Sequence, residues 1–216
     1  MPCGGSPATG RAFLAAAAAA PIVAPFGPYD RAGAQLEPPS PAHLFGTDLL
    51  GRDVFSRVLY GAQISLQVGV VAVLLALLTG GLIGALAGGF GGWIDTALMR
   101  LTDVLLAIPG ILLAIGIVAW LGRGMPQLML AIAVTYTPIF ARLLRGSLLG
   151  LREVDYVVAA RSIGASPVRV LLRHMLPNAI TPLIVQATLV LATAIIDIAG
   201  LGFLGLGPPD PRTPEW

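Results

Sequence analysis

Long apolar runs alternate with short charged segments along this chain, and the lengths of the runs set the architecture. Residues 62–94, 104–122, 124–141 and 178–196 carry no charged side chain. Crossing about 30 Å of hydrocarbon takes roughly 20 apolar residues at a helical rise of about 1.5 Å. Each run is therefore expected to form one full transmembrane span, the first followed by a Gly-rich exit. Residues 12–29 are also uncharged, but Pro21, Pro25 and Pro28 interrupt their second half. That run reads as the remnant of a span. A cleaved signal peptide, with Arg11 ahead of a small apolar run, is the alternative.

The segment between the third and fourth spans, residues 152–178, is polar and Arg-rich. Val154, Val157 and Val158 fall at i, i+3 and i+4 and predict one helix over 152–163. Glu153 and Asp155 stand at its N-terminal end, where the helix dipole favours negative charge. Gly164 is placed as a helix stop, Ser166 as an N-cap and Pro167 as a first helical residue. A second helix is expected over 168–175, with Leu171, Leu172 and Met175 on one face and Pro177 ending it. The result is a helix-turn-helix presenting apolar knobs rimmed by Arg. It suits docking to a partner in the water phase or lying on anionic lipid headgroups.

Composition agrees with the runs. The chain is 56% hydrophobic and 11% charged, with a mean hydropathy of +0.85; soluble domains are about 25% charged. All 13 basic residues are Arg, a compositional bias without functional content. A single cysteine, Cys3, excludes an internal disulfide and a multi-cysteine metal site. Arg142, Arg145, Arg152, Arg161, Arg169 and Arg173 all lie between the third and fourth spans, which assigns that loop to the cytoplasm. Alternation then puts residues 30–60 outside. Gly80, Gly84 and Gly88 form a stripe that admits a close backbone, within this chain or from another subunit. Pro109, Pro138 and Pro182 sit in or near spans as kinks or hinges.

Three motifs resemble one family. Ala159-Ala160, Gly164 four residues on, and Leu176-Pro177 match the EAA loop of bacterial ABC importer permeases. Val158 stands where that motif has Glu, and His174 where it commonly has Ile. The form from Arg173 to Asn178 is similar to the dipeptide/oligopeptide/nickel branch. The segment from Phe45 to Asp53 with Ser56-Arg57 resembles the branch's external GTDxLGRDxxSR sequence. The segment from Gly202 to Gly207, with Pro208-Pro209 and Pro214-Glu215-Trp216, resembles its FLGLG…PPxPEW sequence. The match is closer to the second, C-type permease of the heterodimer.

The resemblance implies an all-α, polytopic type I importer transmembrane domain in a bacterial or archaeal cytoplasmic membrane. Residues 1–29 would be a partial first span, 30–60 an external segment, 61–207 the permease core and 208–216 an external tail. Residues 142–177 would be the coupling loop, with Val157, Val158, Ala159, Ala160, Gly164, Ala165, Leu171, His174, Leu176, Pro177 and Asn178 as its site residues. Implied partners are ATP-binding cassette subunits, a second homologous permease, a periplasmic or lipid-anchored solute-binding protein, and lipid; nucleic acid is not among them. Family members have six spans, so the chain is expected to lack one at its C-terminus and most of one at its N-terminus.

No catalytic, cofactor or metal site is expected. Gly-x4-Gly-Lys-Ser/Thr is absent, so ATP would be hydrolysed on another chain. His43 and His174 fall on opposite sides of the membrane; His174 reads as a cap or packing residue rather than a ligand. Pro138, Pro182 and Asp197 are candidates for the translocation path or its hinges. Asp197 ends an apolar run, and an intramembrane carboxylate is a functional candidate; an interfacial Asp bonded to nearby backbone is the plainer reading. An ion-coupled carrier is the alternative function, but only Asp197, Asp95 and Asp103 offer it ionisable groups.

Overall fold

A computed structural model describes residues 19–207 of the chain. Cys3, Arg11, the first part of the 12–29 run and the tail 208–216 lie outside the described residues. The described residues divide into two compact units, 19–67 and 68–207. The division falls inside a helix.

The described part of the first unit holds α1 (Ala20–Val23), which has Pro21 in its opening turn, followed by an irregular segment. The rest of the 12–29 run is not helical where it is described. Residues 30–53 form a knot held by side chains. Gly46 and Gly51 adopt φ of 74° and 75°. Isolated antiparallel bridges join Arg31 to Arg52 and Thr47 to Asp53, and there are no strands among the described residues. Thr47 Oγ1 donates to the Ala34 carbonyl at 2.6 Å and accepts from the Glu37 N–H at 2.8 Å. Asp48 accepts from the backbone N–H of Leu50 and Arg52, at 2.8 and 2.9 Å, and pairs with the Arg52 and Arg57 guanidinium groups. Burial raises the Asp48 pKa, but the Arg52 N–H, the Arg52 side chain and the Leu50 N–H outweigh it and hold the carboxyl below its ordinary 3.8.

Helix α2 (Val54–Phe90) begins at Asp53, whose carboxylate accepts from the Ser56 N–H at 2.8 Å and from the Ser56 hydroxyl at 2.7 Å. That is an N-cap. His43 Nδ1 lies 3.1 Å from the other Asp53 oxygen, and both side chains are buried. His43 is thus a structural support for a helix start.

The second unit carries the remaining elements. These are α3 (Gly92–Ala107), α4 (Gly110–Leu121), α5 (Met125–Leu151), α6 (Asp155–Ser162), α7 (Pro167–Val170), a π-helical turn (Leu171–Met175) and α8 (Leu176–Phe203). The fold is mostly helical, as expected, and holds up to four spans if the bent pair α3–α4 counts as one. Three helical runs are long and apolar enough to cross: Val54–Phe90, Met125–Leu151 and Pro167–Phe203. The expected span 104–122 is instead broken: α3 and α4 meet at 92°. The break lies at Pro109, whose ring disfavours helical geometry at the preceding residue; Ile108 is extended, at φ −95° and ψ 129°. With 12 residues, α4 is about 18 Å long, too short to span alone.

Boundaries also moved. The Gly-rich exit after the first span is helical through Phe90, and the turn falls at Gly91 and Gly92, with φ of 72° and 62°. The third span continues past Ala141 to Leu151. The fourth continues past Asp197 to Phe203. One charge does not end a helix whose backbone bonds are otherwise complete.

The glycine stripe packs within the chain. A Cβ on Gly84 would stand 2.5 Å from the Ala141 carbonyl oxygen, and one on Gly88 3.0 Å from Leu148 Cβ; Gly80 meets Thr137 and Phe140 in the same way. Gly81, beside them, faces open space. Helices α2 and α5 therefore touch backbone to backbone, with Thr79 and Thr137 hydroxyls 2.8 Å apart at the seam. Pro138 and Pro182 both lie inside unbroken helices. Pro138 deprives the preceding turn of one donor, and next to it Thr137 Oγ1 donates to the Ala133 carbonyl at 2.8 Å.

Candidate functional site

The Arg-rich loop folds as a helix-turn-helix. Val154 is extended, at φ −76° and ψ 139°, and α6 starts at Asp155 rather than at residue 152. Asp155 stands in its first turn and Arg161 in its last, the arrangement the helix dipole favours. The helix closes on Gly164, at φ 84°. The Gly164 N–H donates to Arg161 O at 2.9 Å and the Ala165 N–H to Ala160 O at 3.1 Å. This pair of bonds is a Schellman closure, which needs a left-handed residue at the glycine position. Ser166 precedes α7 in extended geometry and Pro167 opens it, but the Ser166 side chain makes no capping bond.

The second helix departs from expectation. It does not end at Pro177. The chain runs from α7 through the π turn into α8, with Pro177 in the first turn of α8. Pro177 offers no N–H to the carbonyl four residues back, and the widened turn lies where that donor is missing. The apolar face is also rotated: Leu171 and Met175 are buried, whereas Leu172 is exposed.

The loop has an inner and an outer side. Val157 and Ala160 of α6, Val170, Leu171 and Met175 form one buried cluster with Leu144 and Leu148 of α5 and Ala179 and Leu183 of α8. Each large apolar side chain buried here contributes about 1.5–3 kcal/mol, enough to fix the loop on the bundle. Ala165 and Leu176 pack against the cluster. The outer side carries Val158, Ile163, Val168 and Leu172, with Ile163 86% exposed. The valine stripe is therefore split: Val157 faces in, Val154 and Val158 face out. Ala159 and Gly164 are exposed, as is Pro177. A recess of about 370 Å³ opens between Ile163, Gly164, Arg169, Arg173 and His174. His174 is half-buried, and its carbonyl accepts from Asn178 Nδ2 at 2.8 Å. The same amide reaches the Tyr156 hydroxyl at 3.2 Å and ties α6 to α8.

Sequence reasoning placed Arg142 and Arg145 in the loop; they belong to α5. Arg145 makes a bidentate pair with Asp95 of α3, at 2.5 and 2.7 Å, and Arg142 pairs with Asp103 at 2.5 Å. Arg152 Nη2 donates to the Gly89 carbonyl at 3.0 Å, in the last turn of α2. These contacts hold the Gly91–Gly92 turn against the start of the loop. No spacing in the sequence signals these pairs: Asp95 and Asp103 lie about two helical turns apart, Arg142 and Arg145 about one.

Asp197 does not bond to neighbouring backbone, as the plainer reading had it. Its carboxylate accepts from the Tyr136 hydroxyl of α5 at 2.7 Å. Both side chains line a pocket of about 350 Å³ at the α3–α4 break. Among the described residues no group of three or more His, Cys, Asp or Glu is placed to hold a metal.

Apolar helices of spanning length, a broken span and a buttressed polar loop are the parts of a polytopic membrane protein. Residues 80–214 match the family described as the binding-protein-dependent transport system inner membrane component, and the chain belongs to that family. It is 50% identical over 182 residues to the dipeptide transport system permease protein DppC of Alkalihalophilus pseudofirmus, covering 84% of this chain and 60% of that protein. It is 46% identical over 188 residues to the glutathione transport system permease protein GsiD of Pectobacterium atrosepticum, covering 87% and 61%. The chain thus spans about 60% of the length of these curated relatives. Among solved structures, the inward-facing MetNI methionine ABC transporter superposes with a TM-score of 0.62 at 22% identity, over 70% of this chain and 76% of that one. At that identity the likeness concerns the fold.

Proposed function

We propose that this chain works as the permease subunit of an ATP-driven importer for peptides or similar small solutes, and that the outer side of the 152–175 loop is where an ATP-hydrolysing subunit docks. The observation that carries the reading is the division of the loop into a buried, anchoring side and an exposed side of apolar knobs rimmed by Arg161, Arg169 and Arg173. A surface fixed to the bundle transmits a push; a floppy loop does not. Family membership supports the reading, and the names of the relatives support a peptide-like cargo.

The chain has no Lys and so no phosphate-binding Gly-x4-Gly-Lys motif. It acts as a transport subunit and not as an enzyme, with hydrolysis on the partner. A second permease subunit completes the pathway, and a solute-binding protein delivers cargo at the face bearing residues 30–53. The loop then lies in the cytoplasm. An ion-coupled carrier is disfavoured, since Asp95 and Asp103 are engaged by Arg145 and Arg142 and only Asp197 of the three candidate carboxylates is without an Arg partner.

The test is site-directed crosslinking in the assembled complex. A cysteine at Ile163 should form a crosslink to the ATPase subunit that liganded binding protein and ATP modulate. In intact cells it should be shielded from impermeant thiol reagents, while a cysteine at Ser40 reacts. No crosslink from Ile163, Val158 or Leu172, or labelling of Ile163→Cys from outside, would refute the docking assignment.

A further inference from the structure

The pocket at the α3–α4 break has chemistry that packing does not explain. Its wall is apolar apart from Thr135, Tyr136 and Asp197. Tyr136 is buried and is the only hydrogen-bond partner of the Asp197 carboxylate among the described residues. No Arg or His lines the pocket. A carboxylate in an apolar wall is costly unless a positive charge or several donors offset it, and one neutral phenol supplies a single donor.

The neighbouring backbone points to the same need. Helix α3 ends here at Ala107, with Leu105 and Leu106 in the pocket wall. The C-terminal end of a helix carries partial negative charge. Pro109 has no N–H, so the Leu105 carbonyl lacks the donor that a continuous helix would give it. A carboxylate and a helix C-terminus thus converge on one space, whose volume of about 350 Å³ is within the range of small-ligand sites.

We infer that Asp197, with the C-terminal end of α3, binds the primary ammonium group of the cargo as it passes. An ammonium has three donors and no acceptor, which suits one free carboxylate oxygen and the unpaired carbonyl. Tyr136 is a positioning residue: it holds one carboxylate oxygen and leaves the other for cargo. The inference rests on the peptide-importer reading, because a peptide brings a free amino terminus.

The test uses the complete importer complex in lipid vesicles, with Cys3→Ser and a reporter cysteine at Thr135, or at Ile139 should the first fail to assemble. The rate of thiol modification of this chain is read by mass. Alanyl-alanine at twice its dissociation constant should slow modification about threefold by mass action; N-acetyl-alanyl-alanine at the same concentration should not. Asp197→Asn should abolish the protection, Asp197→Glu should keep it, and Tyr136→Phe should weaken it. Equal protection by the acetylated peptide, no protection at any peptide concentration, or protection that survives Asp197→Asn would overturn the inference. ATP-driven uptake by the same vesicles separates the two claims. Uptake without protection leaves the importer reading standing and removes the site. Amine-dependent protection without uptake keeps the site and removes the importer reading.

Discussion

Replacing Gly164 isolates the turn of the docking loop from everything around it. The residue sits at φ 84°, and a Cβ added there meets nothing within 4 Å. Substitution therefore adds no clash, and its whole cost is conformational. For an L-residue the left-handed region costs about 1–2 kcal/mol, a factor of roughly 5–30 in the population of the closed turn. Asn tolerates the region best after Gly, Ala less well, and a β-branched residue least. The two bonds at stake, Gly164 to Arg161 and Ala165 to Ala160, close the end of α6, and Ala160 is also part of the buried cluster. Loosening the turn should let the outer side of the loop move independently of the bundle. Membrane insertion should be unaffected, while uptake per ATP hydrolysed falls in the order Gly, Asn, Ala, Val. Uptake and ATPase activity are measured together in vesicles at matched protein levels. A Gly164→Val complex that couples as well as the parent would refute the reasoning. A loss equal in all three variants would implicate the glycine surface rather than its backbone.

Further outcomes are expected elsewhere. Gly84→Ala should destabilise the α2–α5 seam by about 1–3 kcal/mol through overpacking, lowering the thermal midpoint in detergent. Gly81→Ala, three residues away and facing open space, should not; equal effects would mean the two helices are not in backbone contact. Asp95→Asn should lower the same midpoint by removing the bidentate partner of Arg145, at about 1–3 kcal/mol for a charged bond, and the swap Asp95→Arg with Arg145→Asp should recover part of the loss. No recovery would argue that the pair is not a direct contact. Asp48 has a folded pKa below 3.8, so its contribution to the 30–53 knot should be present above that value and lost as pH falls below it through the folded pKa. Proteolytic protection of the segment should fall in that window, and Asp48→Asn should remove the dependence; a transition unchanged by the variant would assign it to another group.

The sequence alone carries the membrane character, the apolar runs that cross and the helix-turn-helix. All of these follow from local rules. Uncharged length must be matched to bilayer thickness, and a left-handed stop demands glycine at position 164. The sequence also determined that a polar, Arg-rich surface lies between two spans. It did not determine where helices stop, because a charged side chain does not mark a helix end. Arg142, Arg145 and Asp197 all remain inside helices: the two arginines pair with Asp103 and Asp95, and Asp197 accepts a single bond from the Tyr136 hydroxyl. Nor did it determine the bend at Pro109. Pro138 and Pro182 lie in equally apolar runs and leave their helices unbroken, so proline alone does not say which helix will part. Only the tertiary structure decided which face of the loop is buried, since Val157 and Val158 are equally apolar and differ only in what lies opposite. It alone brought Asp197 to Tyr136 and to the open end of α3, across sequence separations that no local pattern records, because packing joins residues by helix face and depth rather than by order along the chain.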